Sequence, residues 1–402
     1  MFSPADATAA IAAHAPRLPI IPVALRDTAG CVLQQIVQAE RDQPPFDRVA
    51  MDGIAIASAS THNGQRDFRI AGTQAAGSAP LAIANANECI EIMTGAMLPL
   101  GCDCVIPVER ITVNNGYARL AEDVVATPWL NLHRRGVDCR AQDQVLAPGI
   151  RLGAPEVAVL ASAGLVHVKV SRMPRIVVIS TGDELIEPGK PLTDWQIRRS
   201  NVYGVLASLR THGFTRLADD HIVDSEEILR ERLRRHLDSA DVLILSGGVS
   251  MGKFDFVPKI LGELGVKQIF HKIAQRPGKP MWFGVRNTEQ GSSNAVYALP
   301  GNPVSTLACM ARYVLPGLRA ALGIVSNPAA VQLTADCKGL SSLTTLLPVK
   351  TVTDPSGVML AHPEPTKGSG DFTALIGTHG CVELPPGDTV ITSGTAVKFF
   401  PW

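Results

Sequence analysis

The segment from Pro174 to Pro303 decides the reading of this chain, because it repeats one pattern three times. It contains Ile176-Val177-Val178-Ile179-Ser180-Thr181-Gly182-Asp183-Glu184, then Val242-Leu243-Ile244-Leu245-Ser246-Gly247-Gly248-Val249-Ser250, then Ala298-Leu299-Pro300-Gly301-Asn302-Pro303. Each time a short apolar run ends in a turn of Gly, Ser, Thr, Asn or acid. Such runs suit parallel strands covered on both faces. Open α/β sheets bind ligands beyond the carboxyl ends of their strands, and that is where these turns fall. The expected core is thus an α/β unit with a ligand crevice, and the rest of the chain is expected to serve that crevice.

Working outward, 402 residues exceed one ordinary core and imply two to four domains. Charged residues make up only 18%, and the formal net charge is zero, so bulk electrostatics call for neither a nucleic-acid nor an anionic-membrane partner. Cys102 and Cys104 form Cys-x-Cys with no second pair at zinc-finger spacing, so the cysteines read as buried or half-buried free thiols. The N-terminus lacks a basic region, and Pro16, Pro19 and Pro22 interrupt the apolar residues after it; no signal peptide is expected. No apolar run is long enough for a membrane span. A reduced, cytoplasmic protein is expected.

Before the repeat, residues 3–14 read as a helix capped by Ser3 with Pro4 in its first turn. Val23 to Leu25 reads as a strand. Thr28 to Glu40 reads as a second helix, with Ala29, Val32, Leu33, Ile36 and Val37 at helical spacing. From Val49 to Val125 short apolar runs alternate with Gly, Asn and Pro, a mostly β unit. Two of its turns carry polar groups: Ala50-Met51-Asp52-Gly53 a carboxylate, Met93-Thr94-Gly95-Ala96 a hydroxyl. Pro155 to Ser162 reads as helix and Val166 to Val170 as strand.

Within the repeat, Ser200-Asn201 opens a helix to about Thr211 whose inner face is Tyr203, Val205, Leu206 and Leu209. Ser225 caps another, strongly charged and solvated on its outer face. Pro303 to Ala321 reads as one long helix, kinked at Pro316. After Gly323, four or five short strands indicate a small barrel or sandwich.

Chemistry concentrates in the turns. Gly247 and Gly248 allow positive φ and close approach, so successive backbone N–H groups of Ser246-Gly247-Gly248-Val249-Ser250 can face one anion. The string is neither a dinucleotide fingerprint nor a Walker loop. Pro300-Gly301-Asn302-Pro303-Val304-Ser305 adds a second tight turn at a helix N-terminus, which favours phosphate. Arg276-Pro277-Gly278-Lys279-Pro280 carries two cations in a turn stiffened by proline. Asp183, Glu184, Asp224 and Asp255 lie near those cations; carboxylates beside a phosphate crevice need a bridging divalent ion, and hard oxygen ligands suit Mg²⁺. Each feature alone also has an ordinary structural reading, as a chain reversal, an exposed basic loop or a surface acid.

Taken together the strings resemble the molybdopterin molybdenumtransferase family, which includes MoeA and the gephyrin E domain. The matching pieces are Pro44-Pro45-Phe46-Asp47 with Ala50-Met51-Asp52-Gly53, Met93-Thr94-Gly95-Ala96, Arg134-Arg135-Gly136-Val137-Asp138, Ser180 to Leu185, Ser246 to Gly252, Pro277-Gly278-Lys279-Pro280 and Leu299 to Ser305, in family order. The resemblance implies a multidomain α/β subunit. Residues 1–45 and 132–170 would form a mixed linker and dimerisation domain, 46–131 an inserted β-rich domain, 171–323 a three-layer α/β/α molybdopterin-binding domain, and 324–402 a C-terminal small β-barrel. It implies a cytoplasmic homodimer with sites between subunits, so that Asp52 and Thr94 reach the partner's crevice. The implied substrates are molybdate and adenylylated molybdopterin, with Mg²⁺; the products are molybdenum cofactor and AMP. The molybdopterin adenylyltransferase and molybdoenzyme apoproteins are implied partners.

Combining both readings, the catalytic set is Asp52, Thr94, Glu184, Asp224, Asp255 and Lys279, with Glu184, Asp224 and Asp255 for the metal. The pterin and its phosphates fall to Thr181, Gly182, Asp183, Ser200, Asn201, Ser246, Gly247, Gly248, Ser250, Pro300, Gly301, Asn302, Pro303 and Ser305. Arg276 balances the oxyanion and Ser369 offers it a hydroxyl. The chain also departs from the family. It has Arg48-Val49 for Asn-Ser, Ile54 for an aromatic, Arg199 for the acid of Asp-Ser-Asn, and Leu343 near a family arginine, whose charge Arg199 could replace. Two other readings stand beside the transferase: a diverged Mg-dependent hydrolase of a pterin or nucleotide phosphoanhydride, and a non-catalytic ligand-binding scaffold dimer.

Overall fold

The structure, a computed structural model, describes residues 1–248, 256–287, 293–325 and 327–402. Its centre is a six-stranded sheet of β1 (Ile176–Thr181), β2 (Leu217–Ile222), β3 (Val242–Ser246), β4 (Lys267–His271), β5 (Trp282–Asn287) and β6 (Ser293–Leu299), in the order β2-β1-β3-β6-β5-β4. The first four neighbours are parallel, while β5 runs antiparallel to both β6 and β4. The apolar runs of β1 and β3 are buried throughout because alternate side chains feed two cores. Val178, Val242, Ile244 and Leu299 pack on one face beside α1 (Pro4–Ala13), α2 (Asn201–Thr211) and the helical segment that begins at Pro303. Val177, Ile179, Leu243 and Leu245 pack on the other against α3 (Glu226–Ser239) and α4 (Val257–Glu263). Each such side chain contributes about 1.5–3 kcal/mol relative to exposure, so two layers of helices hold the sheet, and with it the turns at its edge.

The helices begin where their sequence signals place them, although among the described residues the Ser200 and Ser225 side chains make no capping hydrogen bond. Ser3 accepts from the Asp6 N–H at 3.1 Å and Asp6 returns the bond, closing the box that starts α1. On α3, Leu229, Leu233 and Leu237 form the buried stripe under a charged outer face. Tyr203 differs from expectation. The inner face of α2 is Val202, Val205, Leu206 and Leu209, and Tyr203, one position off that stripe, is exposed and donates its hydroxyl to Glu187. The long C-terminal helix is α5 (Pro303–Cys309) and α6 (Leu315–Ala321) joined by a π turn over Met310–Val314. Pro316 has no N–H to give the carbonyl one turn back and its ring crowds that carbonyl, so the chain widens ahead of it.

Three smaller units surround this one. Residues 53–120 form a six-stranded sheet, confirming the mostly β reading of that region. On either side of it in sequence, Ile20–Ala24 pairs with His167–Ser171 and Val37–Gln38 with Gln144–Leu146, beside the helix Ala154–Ser162. At the C-terminus, Thr344–Thr353 pairs with both Met359–Pro363 and Gly380–Leu384, and Ala329–Leu333 and Ala396–Pro401 complete the ring, closing a small barrel. Closure removes the exposed edges an open sheet would leave.

The expected helix over Thr28–Glu40 does not form. The segment is extended, with isolated bridges from Val32 to Arg151 and Leu33 to Val170 and a short strand at Val37–Gln38. Val32 points into the core of the α/β unit and Leu33 into that of the neighbouring unit. Adjacent side chains lie on opposite faces of an extended chain but not of a helix. The spacing that looked helical serves two cores at once. Helix α1 likewise contributes Ala7 and Ile11 to the α/β core and not to the unit of residues 132–170.

Candidate active site

The register of the central sheet brings the turns together. Ser180 on β1 lies opposite Ser246 on β3, which lies opposite Leu299 on β6, while Thr181 lies opposite Ile222 on β2. Four strands therefore end in line, and the turns beyond them open on a cavity of about 640 Å³. It is lined by Thr181, Gly182, Glu184, Ser200, Asn201, Asp224, Ser246, Gly247, Gly248 and the Pro300–Pro303 turn. These residues were expected to meet, and they do.

The glycine turn has physical reasons to be glycine. Gly248 sits at φ +69°, where a Cβ would lie 2.7 Å from Val257 Cγ2 and 2.9 Å from Thr181 Oγ1. At Gly182 a Cβ would run into the Glu184 carboxylate, which folds back over it. The Asn201 side-chain amide ties the strand ends to one another, reaching Ser246 Oγ at 3.0 Å, the Gly301 carbonyl at 2.7 Å and Thr306 Oγ1 at 3.3 Å. The cavity floor is thus set before any ligand arrives. Thr181 Oγ1 is buried beside it with no partner among the described residues, an orphan that a ligand oxygen or ion would satisfy.

Glu184 and Asp224 both line this cavity. Their hard oxygens, with the Thr181 hydroxyl, are the donor type that Mg²⁺ takes while keeping part of its water shell. Asp183 does not line it; its carboxylate accepts the Asp224 N–H at 3.1 Å and fixes that turn instead. Ser250 and Asp255 lie outside the described residues. Among the described residues no cluster of three or more His, Cys, Asp or Glu could hold a metal unaided.

The cations stand elsewhere than expected. Arg276 and Lys279 line a second cavity of about 490 Å³, with Ser305, Ser369, Lys338 and Lys367. Pro280, Pro300 and Asn302 line both cavities, so a thin wall joins them and the crevice has two chambers. Asn302 Nδ2 donates to Ser369 Oγ at 2.8 Å and the Val304 N–H to the Ser369 carbonyl at 3.0 Å, binding the barrel's loop to the start of α5. Gln275–Arg276 adds as a short strand beside Thr344 and Thr345 of the barrel, so the cationic turn is held by both units. Lys338 and Lys367 escaped the sequence reading, since each is a single lysine in a β-rich stretch with no local pattern.

Arg199 cannot replace the missing family arginine. It is 5% exposed, with Nε on Ser180 Oγ at 2.5 Å, Nη1 on Glu187 at 3.1 Å and Nη2 on Asp219 at 2.7 Å. Its charge is matched within the fold. Tyr203, and after it Arg199, holds Glu187 below the usual carboxylate range. Leu343 does face the second cavity, so an apolar group stands on its wall.

Asp52 and Thr94 line neither cavity. Asp52 Oδ1 accepts the Thr94 hydroxyl at 2.7 Å and its N–H at 2.6 Å, which together hold the carboxyl below its ordinary range. The pair is exposed at the end of the inserted sheet, and a single chain does not bring it to the crevice.

Comparison with known proteins agrees with this anatomy. Residues 2–164 match the MoeA N-terminal region (domain I and II), residues 177–320 a probable molybdopterin binding domain, and residues 330–402 the MoeA C-terminal region (domain IV). The chain is 38% identical over 402 residues to the molybdopterin molybdenumtransferase of Synechocystis sp., covering all of both chains. It is 34% identical over 294 residues to that of Haemophilus influenzae, covering 73% of this chain and 70% of the other. The molybdopterin biosynthesis moeA protein of Pyrococcus horikoshii superposes with a TM-score of 0.80 at 29% identity, covering 100% of this chain and 99% of the other.

Proposed function

Because the chain belongs to the molybdopterin molybdenumtransferase (MoeA) family and so to molybdenum cofactor biosynthesis, we propose that it passes molybdenum from molybdate to adenylylated molybdopterin and releases AMP. The observation that carries this reading is the pair of joined cavities. One has a glycine turn, a helix start and two carboxylates; the other has four cations and, among the described residues, no acid on its wall.

The first chamber suits the pterin phosphate and its adenylyl group. The Gly248 backbone N–H and the positive end of α5 suit phosphate oxygens, while the Gly247 N–H is held by the Leu299 carbonyl at 3.2 Å and the Val304 N–H by that of Ser369 at 3.0 Å. The Asn201 amide keeps the turns after β3 and β6 in register while the anhydride breaks. Glu184 and Asp224 would hold Mg²⁺, which when bound neutralises charge on the phosphoanhydride. The second chamber suits molybdate: Arg276 and Lys279 oppose its charge and Ser369 donates a hydroxyl. The shared wall at Pro300 and Asn302 sets the oxyanion beside the anhydride, so both reactants are positioned before reaction.

The test is AMP release from adenylylated molybdopterin with and without molybdate, in wild type and Lys279→Ala. Molybdate-dependent release in wild type, reduced at least about a hundredfold in the variant, is expected for a lost charge contact at the reacting site. Release that ignores molybdate would point to a hydrolase and overturn the proposal. Binding without release would point to a scaffold.

A further inference from the structure

The second cavity is built as a jaw. Arg276 and Lys279 come from the α/β unit, while in the C-terminal unit Lys338 ends the short strand Cys337–Lys338 and Lys367 lies in a loop, and all four line one space. All four are exposed, and no acid lines that space among the described residues. Like charges gathered from separate units repel one another and disfavour the closed arrangement unless an anion lies between them.

The loop bearing Lys367 is held in place for such a guest. Asp371 accepts the Lys367 N–H at 3.0 Å and the Thr373 hydroxyl at 3.1 Å, so this acid is directed into its own loop. Ser369 is bonded across to Asn302. Leu343 stands on the same wall and offers no charge.

We propose that Lys338 and Lys367 form the barrel's half of the oxyanion site, holding a tetrahedral dianion against Arg276 and Lys279. This rests on the reading of the second cavity as the molybdate chamber and adds to it two residues that no local sequence pattern marks. Two lysines supply the positive charge that Leu343 lacks and Arg199 cannot give. Lysine suits the role because a flexible stem lets each ammonium find an oxygen without a fixed planar geometry.

The experiment is calorimetric titration of the full chain with sodium molybdate at low salt. Wild type, Lys279→Ala, Lys338→Ala, Lys367→Ala and Lys267→Ala are compared; Lys267 begins β4, at the opposite end of the sheet. Lys338→Ala and Lys367→Ala are each expected to weaken binding about five- to tenfold, with a shallower salt dependence, and Lys267→Ala to leave it unchanged. Adding Leu343→Arg to Lys338→Ala is expected to recover most of the loss. Exposed side chains leave the fold intact, which unchanged thermal unfolding would verify. If Lys279→Ala weakens binding and the two barrel variants do not, the proposal is overturned while the chamber reading stands. If wild type binds no molybdate, the chamber reading itself fails and takes this proposal with it.

Discussion

At the scale of single residues, the buried charges among the described residues, Glu88, Arg199 and Arg312, each have a fixed partner. Asp241 shows the rule on the sheet's far side. It accepts from Arg172 at 2.9 Å and from the Arg175 N–H at 2.7 Å, with its side chain 13% exposed and that of Arg172 15%. Burial alone would raise its pKa; the bonds from Arg172 and Arg175 outweigh that and lower it. A carboxyl whose folded pKa is depressed stabilises the fold above its unfolded pKa, near 3.9, and loses that contribution as pH falls through the lower folded value. Asp241→Ala leaves two guanidinium groups facing each other, one of them little exposed. It is expected to lower stability by about 3 kcal/mol at pH 7, read from urea unfolding. The gap from wild type should narrow as pH drops below about 4; a gap that stays constant to pH 2 would show that the ion pair contributes nothing.

At the scale of elements, the turn that carries Lys279 depends on a side chain beneath it. Gln275 is fully buried; its amide donates to the Pro277 carbonyl at 3.1 Å and reaches Cys309 Sγ at 3.6 Å, and its carbonyl accepts from the Tyr313 hydroxyl. Tyr313 lies in the π turn, so the widened helix reaches the cationic turn through one amide. Gln275→Leu orphans the Pro277 carbonyl and the Tyr313 hydroxyl and is expected to destabilise by about 1–3 kcal/mol. As a positioning residue it should raise the molybdate KM more than it lowers kcat, with Tyr313→Phe milder on both. Equal loss in kcat with an unchanged KM would refute the positioning role. This element also marks the limit of what the sequence makes legible. β1, β3 and β6 could be read because strand and turn are contiguous, and each apolar run states its own burial. Thr28–Glu40 could not, because its side chains answer to two cores built from distant residues. Lys338 and Lys367 could not, because the cations they join belong to another unit, and Gln275 could not, because Cys309 and Tyr313 lie 34 and 38 residues away; no spacing along the chain records either.

At the scale of the whole molecule, the puzzle is the Asp52–Thr94 pair, which a single chain leaves at the exposed end of the inserted sheet. Met51 is 42% exposed and Met93 36% beside it, so two polar groups and two large apolar ones share one projecting edge. A twofold dimer presents the same patch on both subunits, and each of two equivalent sites then draws one part from either chain. If Asp52 completes the crevice of its partner, two inactive variants must complement each other. Asp52→Ala and Lys279→Ala each lack one half of every site as homodimers. In a mixed dimer one site carries both lesions and the other neither. Equal amounts of the two, dissociated and reassociated at random, are therefore expected to recover about a quarter of wild-type molybdate-dependent AMP release, because half of the dimers are mixed and half of their sites are intact. Mixing without dissociation should recover none. Activity no greater than the mean of the two variants after exchange, with mixed dimers verified by mass, would place Asp52 outside the partner's crevice and leave its bond to Thr94 a feature of the inserted sheet alone.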